Sequence, residues 1–359
     1  MSGRSVAPSQ LGAVDWWLPR LRAERTFRSL SGRLRVRLTV LAIAALAFSI
    51  VSLHFRACAI SNVVELVAAV SSPYVPWLAL LGVMLLFLCR RLVLSIIAMA
   101  VVAAILATQV PWYYFGRQAD VGPHAEIRVL SSNLRKGRAD ASSFVKLAKD
   151  KADLIAVAEL TPEESRRFSQ AGIEDTFPYS VLKPAPNAGG IGLWSRFPLT
   201  AVQPAQRSDD ALIAARVRVP QVRFNPIIAS VHVTSPVTAE AGSFDRWRNS
   251  ITDAKNGLDH FAEIAGPAAV IVAGDFNSTP DMRQFRDLLT NGYRDAVEQT
   301  GAGFAPTFPS NKWFPPVIVI DHVLTRNAAA SSIRRVNITG SDHRALLATI
   351  KVPLDPKAA

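Results

Sequence analysis

Three long stretches near the start of the chain, Leu38–Phe55, Leu66–Cys89 and Leu92–Phe115, contain no Asp, Glu, Lys or Arg. A helix needs about 20 mostly apolar residues to cross a bilayer, within a range of about 17–25, and all three stretches meet that length. The pattern predicts three transmembrane helices, at about 38–55, 66–89 and 92–115. Beyond residue 124 the texture changes to short β-rich runs between amphipathic segments. IRVLSSN (127–133), DLIAVAEL (153–160), GIGLWSRFPL (190–199), ALIAARVRV (211–219), PIIASVHV (226–233), AAVIVAG (268–274), VIVIDHVL (317–324) and RALLATIKV (344–352) read as strands. SSFVKLAKDK (142–151), FDRWRNSITDAKNGLDHFAEI (244–264) and DMRQFRDLL (281–289) read as helices. In the second of these, Phe244, Trp247, Ile251, Leu258 and Phe261 recur at helical spacing. Strands mixed with helices, without strict βαβ alternation, predict an α+β layered sandwich. Roughly 235 residues suffice for one substantial core. The chain therefore divides into an arm (1–37), a membrane domain (38–115), a linker (116–124), a folded domain (125–353) and a short tail (354–359).

Composition sharpens this picture. Half of the 359 residues are hydrophobic, only 19% are charged, and the mean hydropathy is +0.21. The net charge of +12 is not a nucleic-acid signature, because much of it lies in the arm. Arg4, Arg20, Arg22, Arg25, Arg28, Arg33, Arg35 and Arg37 stand there against Asp15 and Glu24 alone. Arg90-Arg91 forms the tight connection between the second and third apolar stretches. By the positive-inside rule both basic segments belong on the cytoplasmic side, and three crossings then place the folded domain outside the cytoplasm. A basic arm beside a membrane sets topology and touches anionic lipid. PWYYF (111–115) reads as an aromatic belt at the outer interface. Leu38–Phe55 also has the form of a signal sequence, with a basic arm before it and Ala57-Cys58-Ala59 after it. The two later spans hold the chain in the membrane either way. Both cysteines, Cys58 and Cys89, lie in the membrane part, so thiolate and disulfide chemistry are excluded from the folded domain.

Candidate chemistry appears at the ends of the apolar strands. Asn133 ends the first and Glu159 the second. His232 falls late in PIIASVHV. Asp275 and Asn277 close VIVAGDFN, Asp321 and His322 fall in VIVIDHV, and Asp342-His343 follow a Gly-Ser turn. Acids on strands of Val, Ile and Ala are costly unless paired or metal-bound. Taken singly, Asp275 reads as a turn residue, Asp342 as a cap and His232 as a satisfied core histidine. Taken together, they would be six unrelated coincidences, all at strand ends.

In the order SSNLR, VAELTP, SRFPL, SVHVTSP, GDFN, IDHV and SDHRAL, these residues resemble the endonuclease/exonuclease/phosphatase superfamily over essentially residues 125–353. That superfamily includes exonuclease III-like and DNase I-like nucleases, neutral sphingomyelinases and inositol polyphosphate 5-phosphatases. The resemblance implies an α+β fold, a four-layer α/β sandwich with two sheets face to face and the active-site loops at one edge. It also implies a phosphoester hydrolase dependent on Mg²⁺ or Mn²⁺. Glu159 resembles the principal metal carboxylate, Asp342 a further ligand or water-orienting acid, and Asn133 the amide that holds Asp275 and the metal shell. His343 resembles a general base oriented by Asp321. Asp275 and Asn277 resemble the pair that positions the attacking water and contacts the phosphate. His232 is similar to a second histidine that donates to a phosphate oxygen or the leaving group. The glycine of GDFN is expected to let the backbone turn. The sequence departs from the family pattern at Ala158, where members often carry Gln, and at Ala345, where Pro is frequent. It departs again at Val319 and Ile320, in place of a basic residue, and it lacks long basic DNA-contacting insertions.

For substrate contacts the sequence offers Arg135, Lys136 and Arg138 after Asn133, and Lys312-Trp313-Phe314 in the loop FPSNKWFPP (308–316). A linker of about ten residues keeps the folded domain within about 35 Å of the bilayer. Lipid-borne phosphates are favoured on that ground, with a lipid pyrophosphate of cell-envelope synthesis as one example that some membrane-tethered relatives resemble. An extracytoplasmic nuclease is the alternative within the same chemistry. A catalytically inactive membrane receptor or scaffold is the alternative of another class, against which the intact set of site residues speaks.

Overall fold

The computed structural model describes residues 31–203 and 212–357. Most of the basic arm, the first residue of the strand expected at 211–219 and the end of the tail lie outside the described residues. Four helices open the described chain: α1 (Gly32–Ala57), α2 (Val63–Val70), α3 (Val75–Leu88) and α4 (Leu92–Tyr114). Only α1 and α4 are individually long and apolar enough to cross a membrane. Of the three transmembrane helices expected, two are candidate spans, and the middle stretch is a bent pair that makes a third only if it is taken as one span. There Val63–Val70 and Ser72–Leu88 meet at a bend of 41°, and the 14 residues of α3 reach only about 21 Å. The break falls at Ser71-Ser72-Pro73, where Pro73 has no N–H to continue the helical ladder. Helix α2 is drawn aside because Leu66 and Ala69 join the core of the folded domain. The outer faces of the bundle remain apolar and open, with Trp77, Val93, Ile96 and Phe87 each about two-thirds or more exposed.

The folded domain contains β1 (His124–Asn133), α5 (Ala141–Lys151), β2 (Leu154–Ala158), α6 (Pro162–Gln170), β3 (Tyr179–Lys183), β4 (Ile191–Ser195), β5 (Leu199–Val202) and β6 (Leu212–Val217). It continues with β7 (Ile227–His232), α7 (Ser243–Ala265), β8 (Val270–Asp275), α8 (Arg283–Asp287), β9 (Arg294–Asp295) and α9 (Ala296–Thr300). Strands β10 (Asp321–Arg326), β11 (Ala329–Asn337) and β12 (Arg344–Pro353) close it. Two six-stranded sheets form, in the orders β11-β12-β1-β2-β4-β3 and β5-β6-β7-β8-β10-β9. Ile127, Val129, Leu154 and Ala348 of the first sheet pack on Val217, Ile228, Ile271 and Val323 of the second. Helix α5 (Phe144, Ala148) and α6 (Phe168) cover the outer face of the first sheet. Helix α7 covers the second through Trp247, Ile251, Leu258 and Phe261. Helix, sheet, sheet and helix make the four layers expected, because each central strand is apolar on both faces and has to be covered twice.

The apolar helices are docked onto this domain. Arg56 Nε donates to Asp281 Oδ1 at 2.7 Å, the Tyr113 hydroxyl lies 3.3 Å from Asp281 Oδ2, and the Tyr74 hydroxyl donates to Val317 O at 2.6 Å. The residues of PWYYF, expected as an aromatic belt, divide between the packed interior and the surface. Tyr113 is buried against Phe304 and Trp112 packs on the core, while Tyr114 and Phe115 stay exposed.

Candidate active site

Strand register assembles the site. In the first sheet β1 and β2 run parallel with Asn133 opposite Ala158, so Glu159 follows directly at the sheet end. In the second, His232 pairs with Asp275 across the parallel β7–β8 ladder. Asp321 pairs with the same Asp275 across the antiparallel β8–β10 ladder. Three polar side chains are thereby set side by side at one edge. The Asn133 amide ties the two sheets together, its Nδ2 donating to Glu159 Oε1 at 3.1 Å and to Asp275 Oδ2 at 3.0 Å.

Backbone strain concentrates here. Glu159 has φ of 59°, Asn277 44°, Arg135 50° and Lys136 53°, left-handed values that non-glycine residues adopt at some cost. At Glu159 the conformation lets the Lys136 N–H donate to Oε2 at 2.6 Å. At Asn277 it closes a turn in which the backbone N–H donates to Asp275 Oδ1 at 2.8 Å, and the side-chain amide donates to Val233 O at 2.8 Å. Gly274 does not serve the turn as expected. It lies inside β8, where a Cβ would stand 1.9 Å from Val231 O, so glycine is needed for the close approach of β7 and β8.

His343 arrives from the turn before β12. Its Nδ1 donates to Asp321 Oδ2 at 2.9 Å, its Nε2 lies 3.8 Å from Asp275 Oδ2, and its ring rests on Phe308 at 4.8 Å between centroids. The turn is held by Ser341, whose hydroxyl donates to Asn133 O at 2.8 Å and accepts from the His343 N–H at 3.0 Å. Burial alone would lower the His343 pKa, but the charges of Asp321 and Asp275 outweigh it and raise it to about 10. Burial, then the Asp321 charge, raises Asp275 to about 6 against the opposing pull of His343 and His232.

A cavity of about 700 Å³ opens over this edge. Glu159, Asp275, Asn277, Asp342, His343 and Arg135 line it, so the carboxyls of residues 159 and 342 share one space. Asn133 and Asp321 are buried behind the lining. His232 stands beside it, its Nε2 3.8 Å from Glu159 Oε1 and 4.0 Å from Asp275 Oδ2. Lys312 and Trp313 are not brought into the cavity. Trp313 is 95% exposed on its loop, and Phe308 is the aromatic from that loop that lines the space. His322 points away from its neighbour Asp321, as alternation along a strand requires. Its Nδ1 meets Asp295 at 2.7 Å and its Nε2 meets Ser278 O at 3.0 Å.

A family model described as the Endonuclease/Exonuclease/phosphatase family matches residues 130–343, which include every residue of the cluster from Asn133 to His343. The chain belongs to this family. No curated protein matches the sequence. Several solved structures share the endonuclease/exonuclease/phosphatase fold. The 3′ phosphatase NExo from Neisseria, bound to a product DNA hairpin, has a TM-score of 0.51 at 17% identity over 62% of this chain and 98% of that one. An AP endonuclease from Archaeoglobus fulgidus scores 0.51 at 13% identity, over 62% and 98%. The AP endonuclease LMAP from Leishmania major scores 0.52 at 13%, over 63% and 88%. At such identities the likeness is one of fold, a DNase I-like sandwich of two sheets.

Endonuclease/exonuclease/phosphatase members depend on a divalent metal, and the donor set here suits a hard cation. Glu159, Asp275 and Asp342 offer oxygen to one cavity, which Mg²⁺ and Mn²⁺ prefer. Among the described residues, Asp275, Asp321 and His343 also bring one ligand atom each within 4.8 Å of one another. That trio is already knit by the Asp321–His343 hydrogen bond, whereas Glu159 has only an amide and a backbone N–H on its oxygens. Asp342 faces Arg135 Nε at 3.6 Å, a cation already in place beside it. Sequence reading missed Phe308 as a lining residue, and it missed Leu66, Val67 and Val70 of α2, which form one wall of the cavity. The signal available for α2 was Pro73 inside a run otherwise long enough to span.

Proposed function

We propose that the chain is a divalent-metal-dependent phosphoester hydrolase, anchored in the cell membrane with its catalytic domain outside the cytoplasm, and that it acts on a lipid-linked phosphate or pyrophosphate. The observation that carries the reading is the Asn133 amide bridging Glu159 and Asp275 beside the Asp321–His343 pair, all at one cavity edge. Glu159, with Asn133 and Asp342 beside it, would hold Mg²⁺ or Mn²⁺. Such an ion shields the charge that builds on the phosphoryl oxygens and acidifies bound water. The rest is the work of the chain. Asp321 fixes the His343 ring, and the two carboxylates facing it favour the protonated form. His343 faces the cavity oriented by Asp321, as the general base expected from the sequence or, while it holds its proton, as a donor to a phosphate oxygen. Asp275, poised near 6 and held by Asn133, takes the proton from the attacking water, which suits an acid–base group working near neutrality. Asn277 orients that water, and His232 donates to the leaving oxygen.

Topology supports the membrane part. Arg35 and Arg56 lie 21 residues apart on α1, a distance of about 31 Å that matches a hydrocarbon core. Arg56 binds the catalytic domain, while the Arg35 carbonyl meets Cys89 of the turn that carries Arg90 and Arg91. The basic end is thus opposite the active site, as the positive-inside rule asks of an outward-facing domain.

A second reading, an extracytoplasmic nuclease, draws on Arg135, Lys136 and Arg138 at the rim. The experiment is a substrate panel with purified full-length protein, with Mg²⁺ and with chelator. It compares lipid pyrophosphate, phosphatidate, sphingomyelin, inositol phosphates and plasmid DNA. Metal-dependent hydrolysis of a lipid substrate is expected. Ready nicking of DNA with no release from any lipid would replace the first reading by the second.

A further inference from the structure

The cavity has two unlike sides. Glu159, His343 and the basic residues Arg135, Lys136 and Arg138 form one, and Leu66, Val67 and Val70 of α2 form the other. Val237 and Ile318 extend the apolar side. Helix α2 belongs to the membrane segment, reached from α1 in five residues and leading into α3. It is held firmly against the catalytic domain. Leu66 and Ala69 are buried in the domain core, and Gln284 Nε2 donates to Ile60 O at 2.8 Å in the connection that leads into α2; on its other side α2 is tied to α1, where Ser52 Oγ donates to Ala68 O at 2.8 Å. The part of α2 turned away from the cavity is also apolar, with Val63 and Val64 exposed by 46% and 77%. A helix facing water would carry polar residues there; one facing hydrocarbon would not.

We infer that α2 is the chain-binding wall of the active site. It receives the hydrocarbon of a phosphorylated amphiphile while the phosphate lies on the Glu159–His343 side. The inference rests on the phosphoester-hydrolase reading and adds to it the residues that select the substrate. The occupant follows from the contrast of the two walls. A phosphate alone needs only the first, and a nucleic-acid strand calls for basic and aromatic surface along its whole track, where this cleft offers valine and leucine. The continuity of α2 with α1 and α3 gives the chain a route from bilayer to cleft that never crosses open water.

The test uses the full-length protein in nanodiscs with Mg²⁺ and two ester series, alkyl phosphates and alkyl p-nitrophenyl phosphates, each as butyl and dodecyl members below their micelle concentrations. For whichever series is hydrolysed, the dodecyl ester is expected to show a KM at least tenfold below that of the butyl ester. Val67→Asp and Val70→Ser are expected to shrink that ratio at least fivefold. Val64→Asp places the same charge on the same helix outside the cavity lining and is expected to leave the ratio as it is. Equal KM values for the two chain lengths, or an equal effect of Val64→Asp and Val67→Asp, would overturn the chain-wall assignment while leaving the hydrolase reading intact. No hydrolysis of either butyl or dodecyl esters, with or without metal, would remove the hydrolase reading and the wall with it.

Discussion

Asp281 is the point at which the N-terminal apolar helices are locked to the loop after β8, and its removal from Arg56 has a calculable consequence. Its side chain has no exposure to solvent. Burial raises its pKa, and Arg56 is the main group pulling it back. Arg56→Met leaves a carboxylate buried without its principal partner, a change that costs about 3–5 kcal/mol in comparable buried pairs. Arg286 also attracts Asp281, so the lower end, about 3 kcal/mol, is expected. For a domain of this size each kcal/mol moves the midpoint by about 2–4 °C, giving a fall of roughly 6–12 °C. Asp281→Leu combined with Arg56→Met removes both charges and should recover at least half of that loss. The double change is then far from additive, as contact between the two side chains requires. Thermal unfolding of the full chain in detergent, followed by tryptophan fluorescence at one fixed scan rate, reads all four proteins. A shift below 2 °C for Arg56→Met, or additive effects, would refute the lock. Asp281 lies four residues beyond Asn277, so the single variant is also expected to loosen the cleft.

Three further outcomes follow from individual contacts. Asp321→Asn removes the charge that holds the His343 ring and puts an amide, which can also present its NH₂, in place of the carboxylate, and kcat is expected to fall by about 10²–10⁴, with little change in KM, in steady-state assays. Gly274→Ala forces a Cβ to within 1.9 Å of Val231 O, at a backbone position that cannot give way, so circular dichroism should show loss of the folded state near room temperature. Burial raises Glu164 from 4.5 to about 7, against the opposing pull of Arg167. Its folded form therefore binds protons more tightly than the unfolded chain, and its contribution is fully present below pH 4.5 and lost as pH rises through 7. Unfolding midpoints across pH 5–8 should decline in the natural protein, and Glu164→Gln should flatten part of that decline.

Which parts of the fold could be read from sequence depended on position in the sheets. Every central strand was legible, because burial on both faces writes a continuous apolar run such as LIAVA or VIVAG. The unread strands β3, β5, β9 and β11 are the four sheet edges. Each is short or largely solvent-facing, as in YSVLK and the later half of AASSIRRVN, and such segments carry no apolar alternation to detect. The site was legible for a related reason: polar residues ending apolar runs are conspicuous. Their partners were less so. That Asp321 faces His343 whereas His322 faces Asp295 is decided by strand alternation and register, and the charge state of His343 by two carboxylates brought from different strands. The break in the middle apolar stretch was marked by Pro73. The capture of that stretch by the catalytic domain was not, since Leu66 and Ala69 look the same in a core as in a bilayer. Trp313, a conspicuous aromatic in the sequence, stands free of the cleft.

Convergence of Glu159, Asp275, Asp342 and His343 on one cation-dependent centre is tested most directly by release of p-nitrophenol or phosphate from a soluble ester. The measurement titrates Mg²⁺ against the natural protein and against Glu159→Gln after chelator treatment. The expected result is background activity without metal, saturable recovery with it, and a loss of about 10²-fold or more, with a weakened metal response, in the variant. Equal rates in chelator and in Mg²⁺, or an unchanged metal response in Glu159→Gln, would contradict it.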